Sequence, residues 1–333
     1  MFSKLKQSFH SKPSFFYAMS ICATWAGVGS LMVGIQMAQD FGIFPFLLWA
    51  VGNTLACIVF GIFAPMIPKL RDVFRSKPGY YITGFMAIFQ VWVNLNGIHH
   101  IFADTPMTST FGMLLAYATA IFFIILLIRN GVIRSVLTDN GSWSIVYGVA
   151  LLLTIGAIIH SRGSMNILSW GVDPAGISDG IRKMILLIPG PFLYPYYYKL
   201  LDYNDENDQG TVKVNIRRSF VMGGLLFGAY LIFTFLLAWT HFNPALNIIK
   251  AFLIFTIAIS TVSSFLFSIY ITFGRKLGLA INIAAIGLWQ LLIPLGVMGM
   301  WTLMASIRIY IVGAGILAAF AWRFLEKRKQ ARL

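Results

Sequence analysis

The feature that most limits this chain is a succession of apolar stretches, each about 20 residues long and nearly free of charge, running from residue 15 to residue 325. Backbone in hydrocarbon must satisfy its own N–H and C=O groups, and without alternating polar and apolar residues a helix is the element that does so. Of the 333 residues 58% are hydrophobic and only 11% charged, which leaves no segment large enough for a separate soluble domain. We therefore expect an all-α integral membrane protein with ten transmembrane helices. The spans fall near 15–38, 43–66, 79–102, 111–129, 143–160, 180–200, 218–240, 246–272, 278–298 and 304–325.

The formal net charge of +14 does not mark a nucleic-acid binder, because Lys and Arg punctuate apolar runs instead of collecting on one water-exposed face. They set orientation. The N-terminus, the connections after spans 2, 4, 6 and 8, and the C-terminal tail carry 20 of the 25 Lys and Arg residues. That asymmetry predicts both termini in the cytoplasm of a multi-pass protein of the plasma (inner) membrane. The basic start MFSKLKQSFHSKPSFFYAMS is followed by too long an apolar run for a cleaved signal, so it reads as a retained first span. Cys22 and Cys57 sit in apolar runs without metal or redox spacing and read as packing residues. The hydrophilic segment 201–218 reads as a solvated cytoplasmic connection.

Two spans are poor continuous helices. Span 1 contains TWAGVGSLMVG (24–34), and span 6 contains IPGPFLYP (188–195). Gly gives up the most entropy on ordering, and Pro removes a donor and clashes with the preceding turn, so both segments should unwind part-way across. Unwound backbone at that depth is tolerated where it is buried in protein or lines a cavity. Interruptions at matching places of two five-span halves point to an inverted-repeat transporter core. The single transmembrane domain, 1–333, then divides into repeat one (about 14–160) and repeat two (about 180–325).

Span 8 carries hydroxyls in TIAISTVSSFLFSIY (256–270). Thr256, Ser260 and Ser264 are one turn apart on one face, with Thr261 beside it. Hydroxyls and freed carbonyls suit a hard cation. They also serve as helix glue or bond back to their own helix.

ISTVSS (259–264) resembles the small-Ser-Thr-x-Asp-Ser segment of the sodium:solute symporter family, with Ser263 standing at the family's Asp. TWAGVGSLMVGIQMAQDFGIFPFLLWAVGN (24–53) and NGVIRSVLTDNGSW (130–143), with Thr138 and Asp139, resemble further stretches of that family's urea-transporting branch. The resemblance covers the ten-helix core. It implies the five-plus-five inverted-repeat (LeuT-like) fold of the broader amino acid/polyamine/cation transporter group. It also implies a Na⁺ site made of the carbonyls of Ala23, Ala26 and Ile257 and the hydroxyls of Ser260 and Thr261.

The candidate solute pathway comprises Trp25, Gly29, Gln36, Asn94, Pro189, Gly190, Pro191 and Tyr194, while Tyr196, Tyr197 and Tyr198 read as an interfacial belt. Lys250 and Arg308 read as snorkelling to the outer surface, and the break of span 1 contains no ionisable residue. A neutral or zwitterionic solute follows. His99, His100 and Asp104 form a weak metal candidate. No catalytic motif is present, and we expect no enzyme activity and no cofactor.

The function read from the sequence is a cation-coupled secondary transporter, with Na⁺ as coupling ion, for a small polar solute. Its partners are that solute, Na⁺ and the bilayer, with no nucleic acid. The alternative is a transporter-like protein without transport activity that senses a ligand or supports a partner. The charge asymmetry predicts that cysteines placed in 69–77 or 203–213 react only with membrane-permeant thiol reagents, and one at Ser164 with impermeant ones. The reverse pattern would overturn the orientation.

Overall fold

The computed structural model describes residues 13–67, 69–101, 106–127, 132–160, 174–206, 215–238 and 244–330, and every regular element among them is helical. In chain order the α-helices are α1 (Pro13–Trp25), α2 (Val28–Phe41), α3 (Ile43–Phe63), α4 (Leu70–Arg75), α5 (Lys77–His100), α6 (Pro106–Leu127), α7 (Val132–His160), α8 (Pro174–Leu187), α9 (Pro195–Glu206), α10 (Ile216–Ala238), α11 (Pro244–Leu288) and α12 (Gly296–Gln330). Short 3₁₀ segments, Gly190–Leu193 and Trp289–Leu295, precede α9 and α12.

A helix occupies each stretch expected to span. Among the described residues, five stretches are long and apolar enough to cross a membrane: Ile43–Phe63, Ser109–Leu127, Thr138–His160, Ile216–Ala238 and Leu246–Glu326. The pair Ser14–Trp25 and Val28–Phe41, bent by 68°, makes a sixth when taken as one span. Span 6 is divided into α8, the 3₁₀ turn and α9, each too short to cross alone. The chain is an integral membrane protein by its apolar helices and by what they present outward. Ile121, Phe122, Ile125, Leu152, Ile159, Leu225 and Leu317 are exposed on the outer faces, where lipid is the solvent that accommodates them.

Helix α11 doubles back. The Asn282 amide donates to the Leu266 carbonyl at 3.0 Å, although sixteen residues of straight helix would hold the two about 24 Å apart. The turn is at Gly274, with φ 75°, a conformation that suits a residue without Cβ. Spans 8 and 9 are thus the two arms of a hairpin, and Gly278 lies against the backbone of Ile269 and Tyr270 in the opposite arm.

The interior is built around α1, which packs against α7, α10 and the first arm of α11, while α5 packs against both α11 and α12. At one end, Lys69 pairs with Glu326 at 3.0 Å and lies over the Trp322 ring, tying the segment before α4 to the end of α12. The buried Tyr196, Tyr197 and Tyr198 correct the expectation of an interfacial belt: their rings pack against Phe267, Phe220 and Phe60 in the core.

Because Gly274 alone among the α11 residues has non-helical dihedrals, Gly274→Val should lower thermal stability in detergent by about 1–3 kcal/mol. Gly287→Val, at a helical position with nothing within 4 Å of the added Cβ, should be much milder. Melting curves of the two variants check this.

Candidate functional site

In an uninterrupted helix the Gly27 N–H would bond the Ala23 carbonyl and the Ser30 N–H the Ala26 carbonyl. Here Gly27 donates to Trp25 O at 3.2 Å and Ser30 to Gly27 O at 3.0 Å. Both carbonyls are thereby released from the ladder. The buried Thr261 hydroxyl stands 3.4 Å from Ala23 O, 3.1 Å from Ala26 O and 3.0 Å from Ile257 O of its own helix. The Thr261 hydroxyl thus has one proton for the two released carbonyls of Ala23 and Ala26 and for Ile257 O, which also lies in the ladder of its own helix. Carbonyl and hydroxyl oxygens are the ligand type that a hard cation takes.

The other side of the break is closed by Asn94. Its Oδ1 accepts from the Val28 N–H at 2.9 Å, the first orphan donor of α2, and its Nδ2 donates to Gln90 O at 2.8 Å. Gly27 is held against this amide, since a Cβ there would lie 2.9 Å from Oδ1. Asn94 is therefore a cap, with both amide atoms engaged inside the protein, and it does not line the cavity described below.

Ser260 belongs to a neighbouring centre. Its hydroxyl donates to Asp139 Oδ1 at 3.4 Å and Ser264 to the same oxygen at 3.3 Å. Ser20 donates to Asp139 Oδ2 and lies 2.6 Å from the Tyr196 hydroxyl. A fully buried carboxyl group is thus surrounded by hydroxyls from α1, α9 and α11. This centre was not singled out in the sequence because Asp139 was expected in the connection before span 5. In the structure α7 begins at Val132, which carries Asp139 two turns into the helix. An ionisable residue inside a membrane helix would have been the signal. Two further span-8 hydroxyls bond back to their own helix, Thr256 to Phe252 O at 2.8 Å and Ser263 to Ser260 O at 2.7 Å. Ser268 is buried without a side-chain partner.

A small cavity, about 20 Å³, opens between the two broken helices, room for about one water. Trp25, Gly29, Gln90, Tyr194, Trp301 and Arg308 line it, among others. Trp25 is positioned by its indole N–H donating to Asn53 O at 3.1 Å, and its ring lies 5.5 Å from that of Tyr194. Of the expected pathway residues, Trp25, Gly29 and Tyr194 line this space. Gly190 lies behind it, where a Cβ would come within 2.4 Å of the Trp25 ring. Pro189 and Pro191 shape the turn, with their carbonyls accepting from Phe192 and Tyr194 N–H at 3.1 Å each. Gln36 is exposed on α2, away from the cavity lining.

Arg308 corrects the sequence reading most. It does not snorkel: it is 1% exposed and borders the cavity beside the break, which therefore does contain an ionisable side chain. His99 pairs with Ser109 at 2.9 Å, and the third member of the metal candidate, Asp104, lies outside the described residues. Among the described residues no three His, Cys, Asp or Glu side chains gather as a metal site.

No family model matches the sequence, and no curated protein matches it. Among solved structures the chain is similar to a manganese transporter of Eremococcus coleocola in complex with an aromatic bis-isothiourea substituted compound. The likeness has 14% identity and a TM-score of 0.40, and covers 97% of this chain and 74% of the other. Two mutants of the same transporter match at 14% identity and a TM-score of 0.40, over 96% of this chain and 72% of theirs.

The Asp139 centre yields a stability prediction. Asp139→Ala leaves the buried hydroxyls of Ser20, Ser260 and Ser264 without their shared acceptor, and thermal unfolding should show a loss of about 1–3 kcal/mol. Asp139→Asn, which keeps one acceptor oxygen, should lose less.

Proposed function

We propose that this chain is a cation-coupled secondary transporter, with Na⁺ as the coupling ion, that moves a small polar solute by alternating access. Its architecture in this reading is ten transmembrane helices in a five-plus-five inverted-repeat core, with both termini cytoplasmic in the plasma membrane. The observation that carries the reading is the oxygen cluster of Ala23, Ala26, Ile257 and Thr261 at the break of the first span. Such a cluster has more lone pairs than protons, and a hard cation balances it. Ser260 stands next to Thr261 in sequence and turns its hydroxyl towards Asp139. The solute would occupy the cavity on the other side of Trp25, so that one broken helix contributes to both sites.

Alternating access in this reading uses the two breaks as hinges. Short helical segments meeting at unwound backbone can tilt without breaking a continuous hydrogen-bond ladder. The second reading is a transporter-like ligand sensor. It is favoured by Ser263, which stands where the resembling family has Asp and bonds back to its own helix, leaving that position uncharged.

Solute binding measured against Na⁺ concentration tests the proposal. Thr261→Val removes the hydroxyl oxygen at the centre of the cluster with little change of volume. It should raise the Na⁺ concentration for half-maximal binding by about tenfold or more. Ser260→Ala should shift it less, and Ser263→Ala, whose hydroxyl is engaged with its own helix, should leave it unchanged. Equal responses across the three variants would remove the cation site, and binding without Na⁺-driven flux in proteoliposomes would leave the sensor reading.

A further inference from the structure

We propose that the cavity between the broken helices recognises the carboxylate of a small monoanionic or zwitterionic solute through Arg308. This deepens the transport reading and rests on it for the identification of the cavity as a solute site. Among the described residues Arg308 is the only charged one that lines the cavity, and it is buried to 1% exposure. Among the described residues it makes no ion pair. Its Nη2 donates to the Tyr194 hydroxyl at 3.2 Å and to the weak acceptor Met304 Sδ at 3.0 Å. Its Nε is buried with no partner, and Nη1 stands beside Gly190, donating to no protein group among the described residues.

A guanidinium inside a membrane protein is retained at high cost, and pairing with an acidic side chain is the usual remedy. Here the compensation comes from rings. The Arg308 Cζ lies 5.7 Å from the ring centroids of both Trp25 and Tyr194. Cation–π attraction stabilises the charge, and it leaves the N–H donors unspent. Arg308 lines the cavity, and a carboxylate there would answer its charge and offer acceptors to the guanidinium. The rest of the lining favours the same sign. Gly29 contributes the first turn of α2, whose N-terminal dipole end attracts an anion, and Ser30, Asn53 and Gln90 are neutral. One guanidinium matches one negative charge, and about 20 Å³ of space favours a small ligand whose body displaces the Trp301 or Trp25 ring.

The test compares acids with their amides on the purified full chain in detergent, in a chloride-free methanesulfonate buffer. Thermal shift and equilibrium binding are measured with benzoate, L-lactate and L-alanine against benzamide, lactamide and L-alaninamide. We expect at least one acid to stabilise the protein and to bind at least tenfold more tightly than its amide. Arg308→Gln should abolish that preference, and Arg308→Lys should keep part of it. The proposal is overturned if no acid shifts the melting temperature, if acids and amides act alike, if the preference survives in Arg308→Gln, or if chloride alone displaces the acid. Should Arg308→Gln fail to fold, the acid–amide comparison on the native chain decides. Repeating the titrations with Na⁺ replaced by N-methylglucamine separates the two proposals. Acid binding indifferent to Na⁺ removes the coupling and keeps the Arg308 role, whereas Na⁺-dependent binding of an amide does the reverse.

Discussion

The structure depends on how a helix interrupted at membrane depth satisfies its own backbone. Between Trp25 and Val28 the ladder of α1 and α2 fails, and every group it releases must find another partner because water is scarce there. The Val28 N–H goes to Asn94, and the Ala23 and Ala26 carbonyls face the Thr261 hydroxyl. Those two side chains lie on α5 and on the first arm of α11, so the backbone needs of one short break fix where two other helices must pass. The closeness of α5 and α11 is the packing consequence, and Gly97 on α5, set against Val28, lets α5 approach the start of α2.

This local requirement also creates chemistry. The Thr261 hydroxyl has one proton for the released carbonyls of Ala23 and Ala26, and the proposed cation site rests on that shortage. One residue earlier in the same break, the Trp25 ring stands over Arg308, a deficit of negative charge. Both proposed sites border the same short backbone segment, from Ala23 to Ala26. In the proposed reading a ligand at either side acts on the same break, and coupling between the sites would arise there. Asp139 on α7, with Ser20 on α1 and Ser260 and Ser264 on α11, ties α1 ahead of the break to its neighbours.

Much of this architecture was legible in the order of residues. Apolar run length marks helix positions, Gly and Pro mark the breaks, and the Ser260–Thr261 pair stands out against an apolar background. What was not legible follows from the absence of a polar face. In a helix that is apolar nearly all round, periodicity does not say which side meets protein and which meets lipid. Gln36 therefore read as inward although it is exposed, and Tyr196 to Tyr198 read as outward although they are buried. Asp139 read as part of a connection because Arg134, Asp139 and Asn140 lower the hydropathy of the first two turns of α7.

What the sequence by itself determined is that the chain must be helical in lipid and that its first and sixth apolar stretches cannot be straight helices, because backbone groups and Pro and Gly obey local rules wherever they occur. Only the tertiary structure decided which oxygens meet. Thr261 lies more than two hundred residues from Ala23, and Arg308 more than one hundred from Tyr194. Contacts across such separations depend on the hairpin at Gly274 and on the bend between α1 and α2, through which packing sets the direction each helix takes after its break. A local rule states that a ladder fails at a given residue, and the surrounding helices decide where its released groups go.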